Sequence, residues 1–150
     1  MGILPNMKDL IYLAQTDTTV GLLSQNCVRL NTIKQRDVFQ KLIMSVDSFT
    51  TLNKFARIPK SFKKLVRNSK KSTFIYANNK AIRVVKDERH LGFLNKLKWC
   101  YTTSANLSGM DYDAEFAYEN ADVIVYDVEF EEKESSQIIK LGKIKCKQIR

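Results

Sequence analysis

The chain predicts an α/β fold of mixed order (α+β), a mixed β-sheet with helices packed on it. Two observations carry this. Short apolar runs of strand length, at 9–14, 42–46, 98–103 and 122–126, alternate with segments whose apolar residues recur at helical spacing. Hairpin signals at Asn78-Asn79 and Gly142 interrupt that alternation, so helical crossovers and tight turns share one sheet. At 150 residues and 44% apolar composition, one domain over 1–150 with a single sizeable core is expected.

The elements follow in order. Residues 9–14 read as a buried strand entering the polar stretch Gln15-Thr16-Asp17-Thr18-Thr19. Residues 26–36 hold a short helix ending at Lys34-Gln35-Arg36, and 42–46 are strand-like. Asp47 or Ser48 then caps a helix over 48–56. Pro59 suits the first turn of another helix, with Ile58, Phe62, Leu65 and Val66 on its apolar face and Lys60, Lys63, Lys64, Arg67 and Lys71 on the other. Strands at 72–77 and 81–86 flank Asn78-Asn79. A helix over 88–97 turns Leu91, Leu94 and Leu97 inward, followed by a strand at 98–103. A helix over 113–120, a strand at 122–126 and a hairpin of 137–141 with 143–149 about Gly142 complete the expectation of six to eight strands and four or five helices.

Composition removes several function classes. No apolar run approaches membrane-spanning length, and the start of the chain does not read as a secretory signal, so a cytoplasmic protein with no membrane partner is expected. Cys27, Cys100 and Cys146 are widely spaced and the sole histidine is His90, which argues against a disulfide framework or a protein-held metal site. Cys100 reads as core packing. The net charge of +9 is uneven: no acid lies between Asp47 and Asp87, whereas 111–134 carries ten acids against one base, Lys133. A one-sided basic region attracts polyanions such as ATP or RNA. The acidic run 127–134 reads as a solvated loop.

Three polar clusters interrupt the apolar elements. Thr16-Asp17-Thr18-Thr19-Val20-Gly21 follows a strand and ends in a glycine that lets backbone approach a ligand. Lys34 and Arg36, two apart, would point to one side of an extended segment and clamp a polyphosphate, with Lys41 beyond. The octet Thr102-Thr103-Ser104-Ala105-Asn106-Leu107-Ser108-Gly109 reads as a small polar loop at a strand's carboxyl end, where open α/β sheets hold ligands. Its hydroxyls and carboxamide donate and accept hydrogen bonds, but none is an unaided base. The bland alternative for the octet is a turn that bonds only to itself.

The order of the three clusters resembles the Sua5/YciO/YrdC family. The family's Pro-Thr-Asp-Thr followed by Tyr-Gly-Leu stands here as Gln15-Thr16-Asp17-Thr18-Thr19-Val20-Gly21-Leu22. Its Lys-x-Arg segment is similar to 34–43, with Asp37 and Leu42 where the family carries proline. Its Thr-Ser-Ala-Asn-x-Ser-Gly matches 103–109, and Thr73, Arg83-Val84-Val85, Ser135-Ser136 and the final Ile149-Arg150 resemble further family segments. The likeness runs from about Ile11 to Arg150.

The resemblance implies a YrdC-like twisted mixed sheet surrounded by helices, with a large basic concave cavity. It implies L-threonylcarbamoyladenylate synthesis from ATP, L-threonine and bicarbonate, for the t6A modification of tRNA, with other proteins of that pathway as partners. Lys34 and Arg36 would be catalytic, holding phosphates and the carboxylate of threonine. Ser104, Asn106, Arg83, Ser136, Arg150, Thr102 and Lys41 would bind nucleotide and phosphate, and Thr16 and Thr18 would line the threonine pocket. Mg2+ would accompany ATP on its phosphate oxygens rather than in a protein carboxylate cage. His90 reads as a helix-face residue. The alternatives are a non-catalytic family member that binds double-stranded RNA, tRNA or nucleotide, and a carbamoylation-related domain with another acceptor.

Overall fold

A computed structural model of the chain describes residues 6–106, 113–125 and 133–150. Part of the octet (107–109), the end of the expected strand at 122–126 and most of the acidic run 127–134 lie outside the described residues.

The described residues form a nine-stranded mixed sheet. In chain order its strands are β1 (Tyr12–Gln15), β2 (Val20–Ser24), β3 (Ile43–Val46), β4 (Ser72–Ile75), β5 (Ala81–Val84), β6 (Trp99–Ser104), β7 (Val123–Ile124), β8 (Gln137–Leu141) and β9 (Cys146–Gln148). They lie side by side as β7-β1-β2-β6-β3-β5-β4-β8-β9. Hairpin neighbours β1/β2, β4/β5 and β8/β9 are antiparallel, while β1/β7, β3/β5 and β4/β8 are parallel. That mixture follows from a chain that alternates tight turns with helical crossovers.

The five described helices are α1 (Cys27–Ile33), α2 (Phe49–Leu52), α3 (Lys63–Asn68), α4 (Glu88–Leu94) and α5 (Ala114–Asn120). Four of them begin where the sequence supplies a side-chain cap, and α3 instead follows a 3₁₀ turn. Asn26, Ser48, Asp87 and Asp113 accept backbone N–H bonds at the starts of α1, α2, α4 and α5, which satisfies donors a helix start leaves open. Ser48, not Asp47, caps α2, and α2 stops at Leu52 rather than running to 56. Pro59 opens a 3₁₀ turn, Lys60–Phe62, ahead of α3. Phe62 and Val66 are buried there, but Leu65 is exposed, so the apolar face is narrower than its spacing predicts. Asn79 turns the β4/β5 hairpin with a left-handed φ of 65°, a conformation asparagine tolerates.

Strand β2 was not among the expected elements. Its Val20-Gly21-Leu22-Leu23-Ser24 is buried on both faces, so it lacks the alternation by which a half-buried strand is recognised. Conversely, Ser104, expected to follow the strand at 98–103 in a polar loop, continues β6.

Register separates the two faces of the sheet. Leu13 pairs with Leu22, and these pack with Ile11, Leu30 and Ala117 beneath α1 and α5. The same face continues through Met44, Val46, Phe74 and Ile82 beneath Leu52 and Val66 of α2 and α3. The opposite face carries Tyr12, Leu23 and Cys100 against Leu94 of α4. Burial pushes the Cys100 thiol up to about 12, in keeping with a packing role. Only α4 among the described helices contributes to this second core. Where α4 ends, the same face presents Thr102, Ser45 and Arg83, with Ser45 paired to both Cys100 and Arg83. None of the described helices is long and apolar enough to cross a membrane.

Leu22 is wholly buried in a strand paired on both sides. Leu22→Ala is expected to cost about 2–5 kcal/mol by the lost transfer and cavity terms, read as a lower urea midpoint at unchanged slope.

Candidate functional site

The β1–β2 turn is held by its own hydroxyls. Thr16 Oγ1 accepts the Thr18 N–H at 3.1 Å and donates to the Thr19 carbonyl at 2.5 Å. With its proton so used, it accepts from Thr18 Oγ1 at 3.2 Å. Gly21 is required beside this turn for space: a Cβ there would lie 3.0 Å from Thr16 Cγ2 and 3.3 Å from Thr102 Oγ1. The glycine thus leaves room for the side chains of Thr16 and Thr102.

Thr18 receives the guanidinium of Arg83, which projects from β5 and is 3% exposed. Arg83 Nη1 donates to Thr18 Oγ1 at 2.8 Å, and Nη2 lies 3.5 Å from Ser45 Oγ. Nη2 also sits 3.3 Å from Asp17 Oδ1, close enough for an ion pair but not aligned as a hydrogen bond. Burial lowers the pKa of Arg83 from its usual value, Asp17 opposes that shift and Arg150 adds to it. The cation stays protonated, since an arginine starts far above neutrality. Its Nε has no hydrogen-bond partner among the described residues.

Lys34 and Arg36 are not on an extended segment. Lys34 caps the end of α1, Gln35 takes a left-handed φ of 56°, and Arg36 follows the turn. The helix end, not strand alternation, sets their directions. The loop after them is fixed by buried Asn31, whose Nδ2 donates to the carbonyls of Val38 at 3.1 Å and Gln40 at 2.9 Å. Lys34 Nζ reaches across to the Ser104 carbonyl at 2.9 Å and Asn106 Oδ1 at 3.2 Å. Burial, and then the neighbouring Arg36, bring its pKa down to about 8. Arg36 Nη2 donates to Thr103 Oγ1 at 3.3 Å, and its buried Nε has no hydrogen-bond partner among the described residues. Burial lowers the pKa of Arg36 as well.

The far wall comes from the C-terminal hairpin. Ser136, buried just before β8, bonds through Oγ to Thr73 Oγ1 at 2.8 Å. Arg150 donates from Nε to the Ser136 carbonyl at 2.9 Å and from Nη2 to Ser136 Oγ at 3.3 Å.

These walls enclose a cavity of about 280 Å³. Thr18, Arg36, Lys41, Arg83, Thr102, Ser104, Ser136 and Arg150 all border it. Thr16, Lys34 and Asn106 stand behind this lining; Thr16 buttresses Thr18, and Lys34 ties Asn106 to the end of β6. The sequence reading had not singled out Thr19, Thr103 or Ser135 as lining, or Ser45 behind Arg83. Ser45 left a usable signal, a lone hydroxyl within the apolar run Leu42-Ile43-Met44-Ser45-Val46. Thr103 left little, because it stands where the expected strand and the polar octet overlap. His90 is buried within α4 and does not border the cavity, in keeping with its reading as a helix residue. The described lining contains four cationic side chains and no carboxylate. Such a surface suits phosphate or carboxylate oxygens.

Removing Asp17's charge leaves Arg83 buried against hydroxyls alone. Asp17→Asn is expected to destabilise the fold by about 3–5 kcal/mol, checked by urea denaturation, with a conservative Asp17→Glu recovering part of the loss.

Comparison with known proteins agrees with this architecture. The structure resembles P. abyssi Sua5 complexed with L-threonine, with a TM-score of 0.75 and 20% identity over 94% of this chain and 50% of that one. E. coli YciO matches with a TM-score of 0.75 and 16% identity, over 95% of this chain and 83% of that one. T. kodakarensis HypF matches with a TM-score of 0.75 and 16% identity, over 95% of this chain and 22% of that one. The chain thus spans about half the length of the Sua5 structure it matches. No curated protein matches it by sequence. The family model Sua5_yciO_yrdC, described as "Telomere recombination", matches residues 8–150. With its mixed sheet, cationic cavity and near-complete match, the chain belongs to the Sua5/YciO/YrdC family.

Proposed function

We propose that the chain is an L-threonylcarbamoyladenylate synthase, forming threonylcarbamoyl-AMP and pyrophosphate from ATP, L-threonine and bicarbonate. The observation that supports this most is the convergence of Arg36, Lys41, Arg83 and Arg150 with serine and threonine hydroxyls on one cavity whose described lining has no carboxylate.

The chemistry asks little of a protein nucleophile. The threonine amine adds to carbon dioxide derived from bicarbonate, losing a proton to give a carbamate. A carbamate oxygen then attacks the α-phosphorus of ATP, a new P–O bond forms, the bond to the β-phosphate oxygen breaks, and pyrophosphate leaves. The protein must align these anions and offset charge on the phosphate oxygens. In this reading Lys34 and Arg36 act on the phosphates and the threonine carboxylate, the latter with Nε available. Ser104 and Asn106 hold the AMP phosphate, with Thr102 and Lys41 beside it. Arg83, Ser136 and Arg150 close the nucleotide side, and Thr18, positioned by Thr16, faces threonine. A Mg2+ would arrive on ATP's own phosphate oxygens, since the lining offers it no carboxylate. The threonine-bound state of the similar Sua5 supports the choice of amino acid. Delivery of the product into tRNA t6A modification, with other proteins of that pathway, belongs to the same proposal.

Double-stranded RNA or tRNA binding is the second reading. It is favoured by exposed Lys60, Lys63, Lys64 and Arg67 on and before α3. The two separate cleanly: RNA binding of steep salt dependence that Lys34→Ala leaves unchanged, without ATP binding, would select the second.

Incubation with ATP, threonine and bicarbonate is expected to release pyrophosphate only when all three are present. Asn106→Ala is expected to lower kcat/KM about 10- to 1000-fold, as loss of one positioning donor does elsewhere. Absence of ATP binding by calorimetry would defeat the catalytic reading.

The depressed pKa of Lys34 sets a pH dependence. Its charged form exists below about 8 and is lost above it, whereas a bound polyanion favours that form and raises its pKa. ATP affinity is therefore expected to be flat below pH 8 and to fall up to about tenfold per unit above it. In Lys34→Met the fall near pH 8 should vanish.

A further inference from the structure

The geometry points to a second binding site, independent of the cavity chemistry: a groove on the sheet face beneath α1 and α2 that takes a single-stranded segment of nucleic acid. Two cavities, of about 570 and 340 Å³, adjoin there at Cys27, which borders both. Phe55 and Trp99 line the first, Tyr101 and Phe39 the second. Trp99 and Tyr101 are alternate residues of β6 and so project to one face. Phe55 meets Trp99 at 5.3 Å and 66°, and Trp99 meets Tyr101 at 5.3 Å and 88°. This is a continuous edge-to-face run of rings along the groove. Phe39, at the far end, is 86% exposed, so core packing does not account for it.

Charge surrounds the rings. Lys8, Lys54 and Lys98 border the first cavity, and Lys41 and Lys80 the second. Against these, the described lining has one carboxylate, Asp9. The ion pair of Lys98 with Asp47 is long, 3.8 Å, and leaves the lysine side chain 68% exposed. Lys80 Nζ sits 5.4 Å from the Phe55 ring centre, so cation and ring already share a surface. The wall between them is fixed: Gln25 Nε2 donates to the Leu97 and Trp99 carbonyls at 3.2 and 2.9 Å, and Asn78 Nδ2 to the Phe55 carbonyl at 2.9 Å.

Aromatic faces flanked by lysines hold unpaired bases by stacking while the ammonium groups track phosphates. A duplex hides its base faces, and an acidic peptide would meet the lysines but leave the rings uncovered. The linear sequence shows no aromatic-interleaved basic stripe; folding assembles one from segments near 8, 25, 39, 54, 80 and 99. Lys41 and Leu42 border both this groove and the cavity, so a bound strand would end beside the candidate site.

Trp99 is the chain's single tryptophan and reports the groove directly. Titration of the full chain with an oligouridylate is expected to quench its fluorescence saturably. Phe39→Ala, at an exposed position outside the cavity lining, is expected to weaken binding at least about fivefold, the lower range for loss of one stacked base. Lys54→Gln and Lys98→Gln should each shallow the log affinity–log salt slope by about 0.7, and Arg36→Ala should leave the binding unchanged. Equal quenching by a duplex of the same length, equal competition by polyglutamate, or no effect of Phe39→Ala would each overturn the proposal.

Discussion

Burying the guanidinium of Arg83 is the constraint around which the candidate site is organised. A cation removed from water costs several kcal/mol unless its surroundings replace the lost hydration. Here the replacements come from separate parts of the chain. Asp17 and Thr18 arrive from the β1–β2 turn, and Ser45 from β3, next to Arg83's own strand. The turn reaches Arg83 across a sheet in which β6 and β3 lie between β2 and β5. One charged side chain thus links sheet order to the shape of the cavity. The same burial leaves Nε without an acceptor among the described residues, so the pairing of this cation rests on its two terminal nitrogens.

The polar surface is possible because the helices are unevenly shared between the faces. Helices α1, α2, α3 and α5 cover one face through their buried apolar residues, whereas α4 alone among the described helices seals the other. Strand alternation converts this asymmetry into chemistry. On β6, Cys100 packs against α4, while Thr102 and Ser104, on the same face further along, border the cavity. A one-residue slip of β6 would exchange these with Trp99 and Tyr101. The aromatic groove and the hydroxyl-lined cavity are therefore two products of one register.

Much of this was legible because local chemistry and tertiary demand agree. Asn26, Ser48, Asp87 and Asp113 mark helix starts by their own hydrogen bonds, and Asn79 and Gly142 mark hairpins by conformation and space. Gly142 is needed because a Cβ would lie 2.8 Å from the Lys145 carbonyl. Where the two demands part, reading the sequence failed. β2 is buried on both faces, so periodicity was silent. Lys34 and Arg36 converge because Gln35 adopts a left-handed conformation, which their spacing does not encode. The site's residue types could be read in order along the chain. The division between those that border the cavity and those that brace it, such as Thr16 behind Thr18, depends on depth, which a linear sequence does not contain.

Lys34 shows what such bracing can contribute. An ammonium that is 3% exposed and bonded to a carbonyl and a carboxamide, with a guanidinium nearby, has its pKa brought down to about 8. A fully solvated lysine would gain little from a nearby phosphate, because water already screens it. Were the proposed phosphate bound, partial desolvation would make it worth more to Lys34 than to the exposed Lys41, although Lys41 borders the cavity and Lys34 does not. The cost of that desolvation is borne by the fold itself, in which Nζ is held by the Ser104 carbonyl and the Asn106 carboxamide. Because Lys34 also holds Asn106 and the end of β6, its charge and the position of the polar segment change together. The ammonium's contribution is then inseparable from the geometry it maintains.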